Sequence, residues 1–143
     1  MSEQPTPEET LNALAVEIRI LEGTYNELTA RQNLLERALV EGRAALDTIK
    51  GLDGQTTTEV LTQIGGGAML RSKPPITTKV LVSVGANIVI EKPREEAVAI
   101  LEERSRDLEK TLVSILGQRN EIAQRLNSDR ELLNSLVSRS QQE

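Results

Sequence analysis

Residues 58–73 read TEVLTQIGGGAMLRSK, and residues 78–92 read TKVLVSVGANIVIEK. Each stretch is a run rich in Thr and Val or other β-branched and apolar residues, then a glycine-bearing turn, then a second such run. The expected strands are Thr58–Ile64, Ala68–Lys73, Thr78–Val84 and Asn87–Lys92. Gly65-Gly66-Gly67 and Gly85-Ala86 supply the turns, and Pro74-Pro75 breaks the chain between the two pairs. Val80, Val82 and Val84 alternate onto one face, as do Ile88 and Ile90 on the next strand. The segment 52–92 also holds five of the nine glycines (Gly54, Gly65, Gly66, Gly67 and Gly85), which separates it from its flanks. The reading is two consecutive β-hairpins.

Such hairpins cannot stand alone. A two-stranded hairpin is marginal in water, and its edges leave N–H and C=O groups unpaired. No aromatic-rich core is available to receive them, because the 143 residues include one Tyr (Tyr25) and no Phe or Trp. The expected solution is a β-barrel closed between subunits. Its oligomerisation residues are Val60, Ile64, Leu70, Val80, Val82, Val84, Ile88 and Ile90.

Outward from the hairpins the periodicity changes. Residues 6–50 read as one long helix, opened by the capping box Thr6-x-x-Glu9 with Pro7 at the first helical position. Gly51 stands where a terminating glycine belongs. Two sevenfold series run through it: Leu11, Ile18, Tyr25, Gln32, Leu39, Leu46, and Leu14, Leu21, Leu28, Leu35, Gly42, Ile49. Only Gln32 and Gly42 are not apolar, so the pattern is that of a coiled coil.

Residues 93–140 read as a second helix, with Pro93 at its start and Glu95 and Glu96 in its first turn. Its series are Leu101, Leu108, Ile115, Ile122, Asp129, Leu136, and Val98, Ser105, Leu112, Arg119, Leu126, Leu133.

The fold class is therefore α+β: a long antiparallel coiled-coil hairpin with two β-hairpins inserted between its helices. The expected divisions are 1–51 (first helix), 52–92 (hairpins, the oligomerisation platform) and 93–143 (second helix). If the inner helix ends meet near Lys50 and Pro93 and rise equally, Leu28 faces Ile115, Ile18 faces Leu126, Tyr25 faces Arg119 and Gly42 faces Leu101. At the outer end Asp129 would face Leu14, a poor match, and Leu136 and Val137 would find no apolar partner. Leu11, Leu14, Leu132, Leu133, Leu136 and Val137 are accordingly the candidate binding residues of an apolar helical tip.

Composition excludes much else. Without Cys there is no disulfide, thiolate metal site or cysteine nucleophile, and without His no imidazole base. No cofactor or metal is expected, and no enzyme activity. A net charge of −5 argues against nucleic acid. No apolar run approaches the roughly 20 residues of a membrane span. The acidic start MSEQPTPEE is unlike a secretory signal, so a soluble cytoplasmic protein is expected. Gly65-Gly66-Gly67 lacks the Gly-Lys-Ser/Thr ending of a phosphate loop. Glu8-Glu9, Glu95-Glu96 and Glu102-Glu103 read as solvated or dipole charges, and Arg104 and Arg106 as a solvated face. Gln32, Ser105, Arg119 and Asp129 are polar seam positions that either set register or are tolerated there.

The helix, two hairpins and helix, with Ile64-Gly65-Gly66-Gly67-Ala68 and the run Val82-Ser83-Val84-Gly85-Ala86-Asn87-Ile88-Val89-Ile90-Glu91-Lys92, resemble the α-class subunits of the archaeal prefoldin family. The resemblance spans essentially the whole chain. It departs at Ala86, where the family often has a second glycine, and near Met69, where an aromatic is frequent. It implies a hexamer of two α and four β subunits, whose coiled-coil tips hold non-native client proteins. It further implies delivery of those clients to a group II chaperonin without ATP. The alternative is a coiled-coil scaffold or tether between folded partners, which would need no barrel-forming insert.

Overall fold

The computed structural model describes residues 3–52, 59–73 and 79–142. In chain order these form helix α1 (Pro7–Gly51), strands β1 (Val60–Gly65), β2 (Ala68–Ser72), β3 (Lys79–Gly85) and β4 (Ile88–Pro93), and helix α2 (Arg94–Gln141). The expected strand starts at Thr58 and Thr78, Gly54 and the Pro74-Pro75 break lie outside the described residues.

Helix α1 starts as its capping box dictates. The Glu9 N–H donates to Thr6 Oγ1 at 3.2 Å, and the Thr6 N–H donates to Glu9 Oε2 at 2.9 Å. Two otherwise orphaned donors are thereby satisfied. At the other end the reading of Gly51 is corrected. Gly51 stays helical, and the Leu52 N–H still reaches the Thr48 carbonyl at 3.1 Å, so no left-handed cap forms there.

The strands make two separate antiparallel sheets, β1 with β2 and β3 with β4. Both follow one plan. Val60 pairs with Ser72 and Val80 with Lys92; Thr62 pairs with Leu70 and Val82 with Ile90. In each the register slips before the turn, leaving Ile64 and Val84 as bulged residues ahead of Gly65 and Gly85. Both turns place two central residues at positive φ: Gly66 at 60° and Gly67 at 80°, Ala86 at 51° and Asn87 at 60°. Such two-residue turns match the twist of the strands they join. The second achieves this with an alanine where a glycine would be unstrained.

The chain divides into two compact units, Met1–Arg37 with Glu109–Glu143, and Ala38–Leu108. In the first unit, α1 and α2 pack along the expected seam. Leu14, Ile18 and Leu126 form a buried cluster, with Leu21, Tyr25, Ile122, Leu133 and Leu136 packed against it. Leu28 and Ile115 are buried further along the same seam. Arg119 lies over the Tyr25 ring at 4.7 Å, donates to Tyr25 Oη at 2.7 Å and also donates to Gln32 Oε1. The expected contact of Tyr25 with Arg119 is thus observed. It is a stacked, hydrogen-bonded knot that fixes which turns face each other.

In the second unit, Leu39, Leu46, Ala97 and Val82 are buried. A Cβ at Gly42 would stand 3.5 Å from Ser105 Oγ. Gly42 therefore faces Ser105 and not Leu101, one helical turn from the expected partner. The two interruptions of the apolar series coincide, and the small pair lets the helices approach. The Arg94 guanidinium donates to the Lys50 carbonyl at 2.9 Å, and Lys50 Nζ pairs with Glu102 at 3.1 Å.

Candidate interaction surfaces

The first surface is the hairpin pair. Among the described strand residues, only one face of the second hairpin carries a fully buried side chain. Val82 is 4% exposed, and Val80 and Ile90 are half-buried. Beside Val82, the Arg104 guanidinium donates to the Ser83 carbonyl, tying β3 to α2. Arg104 lies on the exposed face expected of it and in addition ties the second hairpin to the helix. Val82 likewise belongs to the chain's own core, because that face of the hairpin is already occupied.

The other expected oligomerisation residues remain accessible. Ile64, Leu70, Val84 and Ile88 are exposed, and Val60 is half-buried. The structure adds Leu61, Met69, Leu81 and Val89, all more than half exposed, which the sequence reading left out. Pairing puts Leu61 opposite Arg71, Met69 opposite Gln63, Leu81 opposite Glu91 and Val89 opposite Ser83. These residues lie on the faces opposite Val60 and Val80. The signal for Leu81 and Val89 was the unbroken apolar runs Val80-Leu81-Val82 and Ile88-Val89-Ile90, which an alternating reading splits. Both hairpins thus carry apolar side chains on two faces, and each strand pairs with one neighbour.

The second surface is the end of the helical pair near residues 11–14 and 132–137. The six candidates divide. Leu132 and Val137 are 49% and 39% exposed; Leu11, Leu133 and Leu136 are half-buried; Leu14 is buried. Two expectations are corrected. Leu14 is not free surface, and Leu136 does have apolar partners, because it packs against the Leu14–Ile18–Leu126 cluster. The seam continues one turn further than the expected register allowed. Asp129 sits within this seam with Oδ2 buried and without a hydrogen-bond partner among the described residues. Two ion pairs cross the seam on its inner side, Glu17 with Arg125 at 2.5 Å and Glu22 with Arg130 at 2.7 Å.

A shallow groove of about 430 Å³ lies beside the second of these pairs, lined by Tyr25, Asn26, Ala123, Leu126 and Asn127. Among the described residues no cluster of acidic, His or Cys side chains is arranged to hold a metal ion. No helix among them is long and apolar enough to cross a membrane.

The exposed apolar strand and helix faces are surfaces through which this chain can associate. Comparison with known proteins identifies the family. The family model for the prefoldin subunit matches residues 21–138. The chain belongs to the prefoldin family. It is similar to the prefoldin alpha subunit of Nitrosopumilus maritimus, 27% identical over 135 residues covering 94% of this chain and 93% of that one. It is 33% identical over 126 residues to the prefoldin alpha subunit of Methanoculleus marisnigri, covering 78% and 85%. Among solved structures, a chain of the filamentous prefoldin from Methanocaldococcus jannaschii matches with a TM-score of 0.65 and 26% identity, covering 78% of this chain and 93% of that one. The prefoldin beta subunit from Thermococcus strain KS-1 shares the fold, with a TM-score of 0.62 and 17% identity, covering 94% and 96%. Prefoldins are chaperone subunits that assemble with other prefoldin subunits and are not enzymes. The resemblance to archaeal α-class subunits and the fold expected from the sequence are both observed.

Proposed function

We propose that this chain is the α subunit of a cytoplasmic prefoldin hexamer of two α and four β subunits. Its hairpins join those of neighbouring subunits into a shared β-barrel, and its helical tips hold non-native proteins. The captured clients pass to a group II chaperonin, and no ATP is consumed by this subunit. The observation that carries the reading is the division of labour between apolar surfaces. The strands expose Leu61, Ile64, Leu81 and Ile88 for assembly, while Leu132 and Val137 remain exposed at the helix ends for clients.

The affinity of one tip is limited. Burying one such side chain yields roughly 1.5–3 kcal/mol. Several tips on one platform raise the effective concentration and bind by avidity. Selectivity then follows from exposure, since unfolded chains present apolar groups that folded ones bury. A tether between folded partners would not require four strands with unpaired edges.

Two measurements test this. Co-expression with a β subunit should give a complex whose native mass fits two α and four β chains. In that complex, L132S with V137S should leave the mass unchanged and weaken suppression of client aggregation by about threefold. Unaltered suppression would remove the client role from this tip.

A further inference from the structure

The seam of the first unit contains a flaw at a telling place. Asp129 occupies a position of the sevenfold series, three residues after Leu126 and four before Leu133, both in the apolar cluster or packed on it. Its Oδ2 is buried and accepts no hydrogen bond from the described residues. A carboxylate oxygen so placed has lost water without a replacement. Closing the helices at this point is therefore costly, and separating them returns the group to solvent.

The polar ties are placed to confine that separation. Arg119 with Tyr25 and Gln32, Arg125 with Glu17, and Arg130 with Glu22 all cross the seam inward of, or beside, Asp129. Among the described residues no hydrogen bond or ion pair joins residues 7–16 of α1 to residues 131–141 of α2. Apolar packing of Leu14, Leu133 and Leu136 closes this terminal stretch.

We propose that Asp129 is a built-in weak point that lets the last turns of the helical pair open and present Leu14, Leu133 and Leu136 to a non-native chain. The inference rests on the chaperone reading and adds to it how covered leucines become available. Opening exchanges one apolar contact set for another. The helices give up Leu14 against Leu133 and Leu136, the client supplies replacement contacts, and hydration of Asp129 lowers the cost of the first step. The Arg119 knot and the two ion pairs stop the opening from running further along the helices.

The test compares wild type, D129L and D129N in the co-expressed complex by amide hydrogen exchange and by suppression of client aggregation. In D129L, amides of residues 130–139 should exchange about tenfold more slowly, those around Ile115 should be unchanged, and suppression should fall. D129N, polar but uncharged, should lie between. Unchanged exchange in D129L would overturn the weak point. Slower exchange with full suppression would overturn its link to capture. Slower exchange in a complex whose wild type suppresses nothing would sustain the weak point and defeat the chaperone reading instead.

Discussion

Ala86 has φ of 51°, a left-handed conformation that an L side chain adopts only at a cost of about 1–2 kcal/mol. Its counterpart in the first hairpin is Gly66, at 60°, where no such cost arises. Asn87 at 60° is better suited, because asparagine tolerates this region. A86G should therefore raise the unfolding free energy of the assembled protein by about 1 kcal/mol, read from a higher midpoint in denaturant titration, once the greater freedom of glycine in the unfolded chain is deducted. Gly42 poses the opposite case. A methyl would meet Ser105 Oγ at an ordinary 3.5 Å, so G42A should be tolerated, but a leucine would overfill the space. G42L should cost about 1–3 kcal/mol, readable in the same titration. If G42L were as stable as the parent, the close approach of the helices at this level would be wrong.

The elements themselves were largely legible in the sequence, and their relations less so. Both helices and all four strands were expected within a residue or two, because the change from a sevenfold to a twofold apolar period is a local signal. Thr6 and Glu9 marked the start of α1 for the same reason, as a cap is made within one turn. The end was misread at Gly51, since a glycine is permitted a left-handed conformation without being required to take it. The pairing of Gly42 with Ser105 escaped because a sevenfold series fits a partner equally well after a slip of one turn. Only particular pairs, such as Lys50 with Glu102 and Arg94 with the Lys50 carbonyl, choose between such registers. The burial of Val82 was hidden for a related reason. Alternation identifies a face, but what the face meets depends on contacts such as Arg104 with Ser83, from residues distant in sequence.

At the scale of the whole molecule, the proposed function ties the two apolar surfaces together, because capture by several weak tips would require a platform that gathers them. I64D with I88D would place charges on two exposed strand positions, one in each hairpin, while leaving Leu132 and Val137 as they are. This variant should sediment as smaller species and lose most aggregation suppression, more than L132S with V137S does in the intact complex. Retained suppression by dispersed subunits would show that one tip suffices and that assembly serves another end. The apolar residues of the proposed tip were legible in the sequence as candidates. Their division into covered Leu14 and open Leu132 depends on the helix register, which periodicity leaves undetermined.

The lone aromatic ring has a spectroscopic consequence. Tyr25 lies under the guanidinium of Arg119 and shares a hydrogen bond with it, so its emission is an intrinsic reporter of whether the two strands of the coil are joined at that level. Because the chain contains no tryptophan, indole fluorescence excited selectively in a mixture would carry no background from this subunit. A cargo's own tryptophans could then be followed during its capture and release without attaching a dye to either molecule.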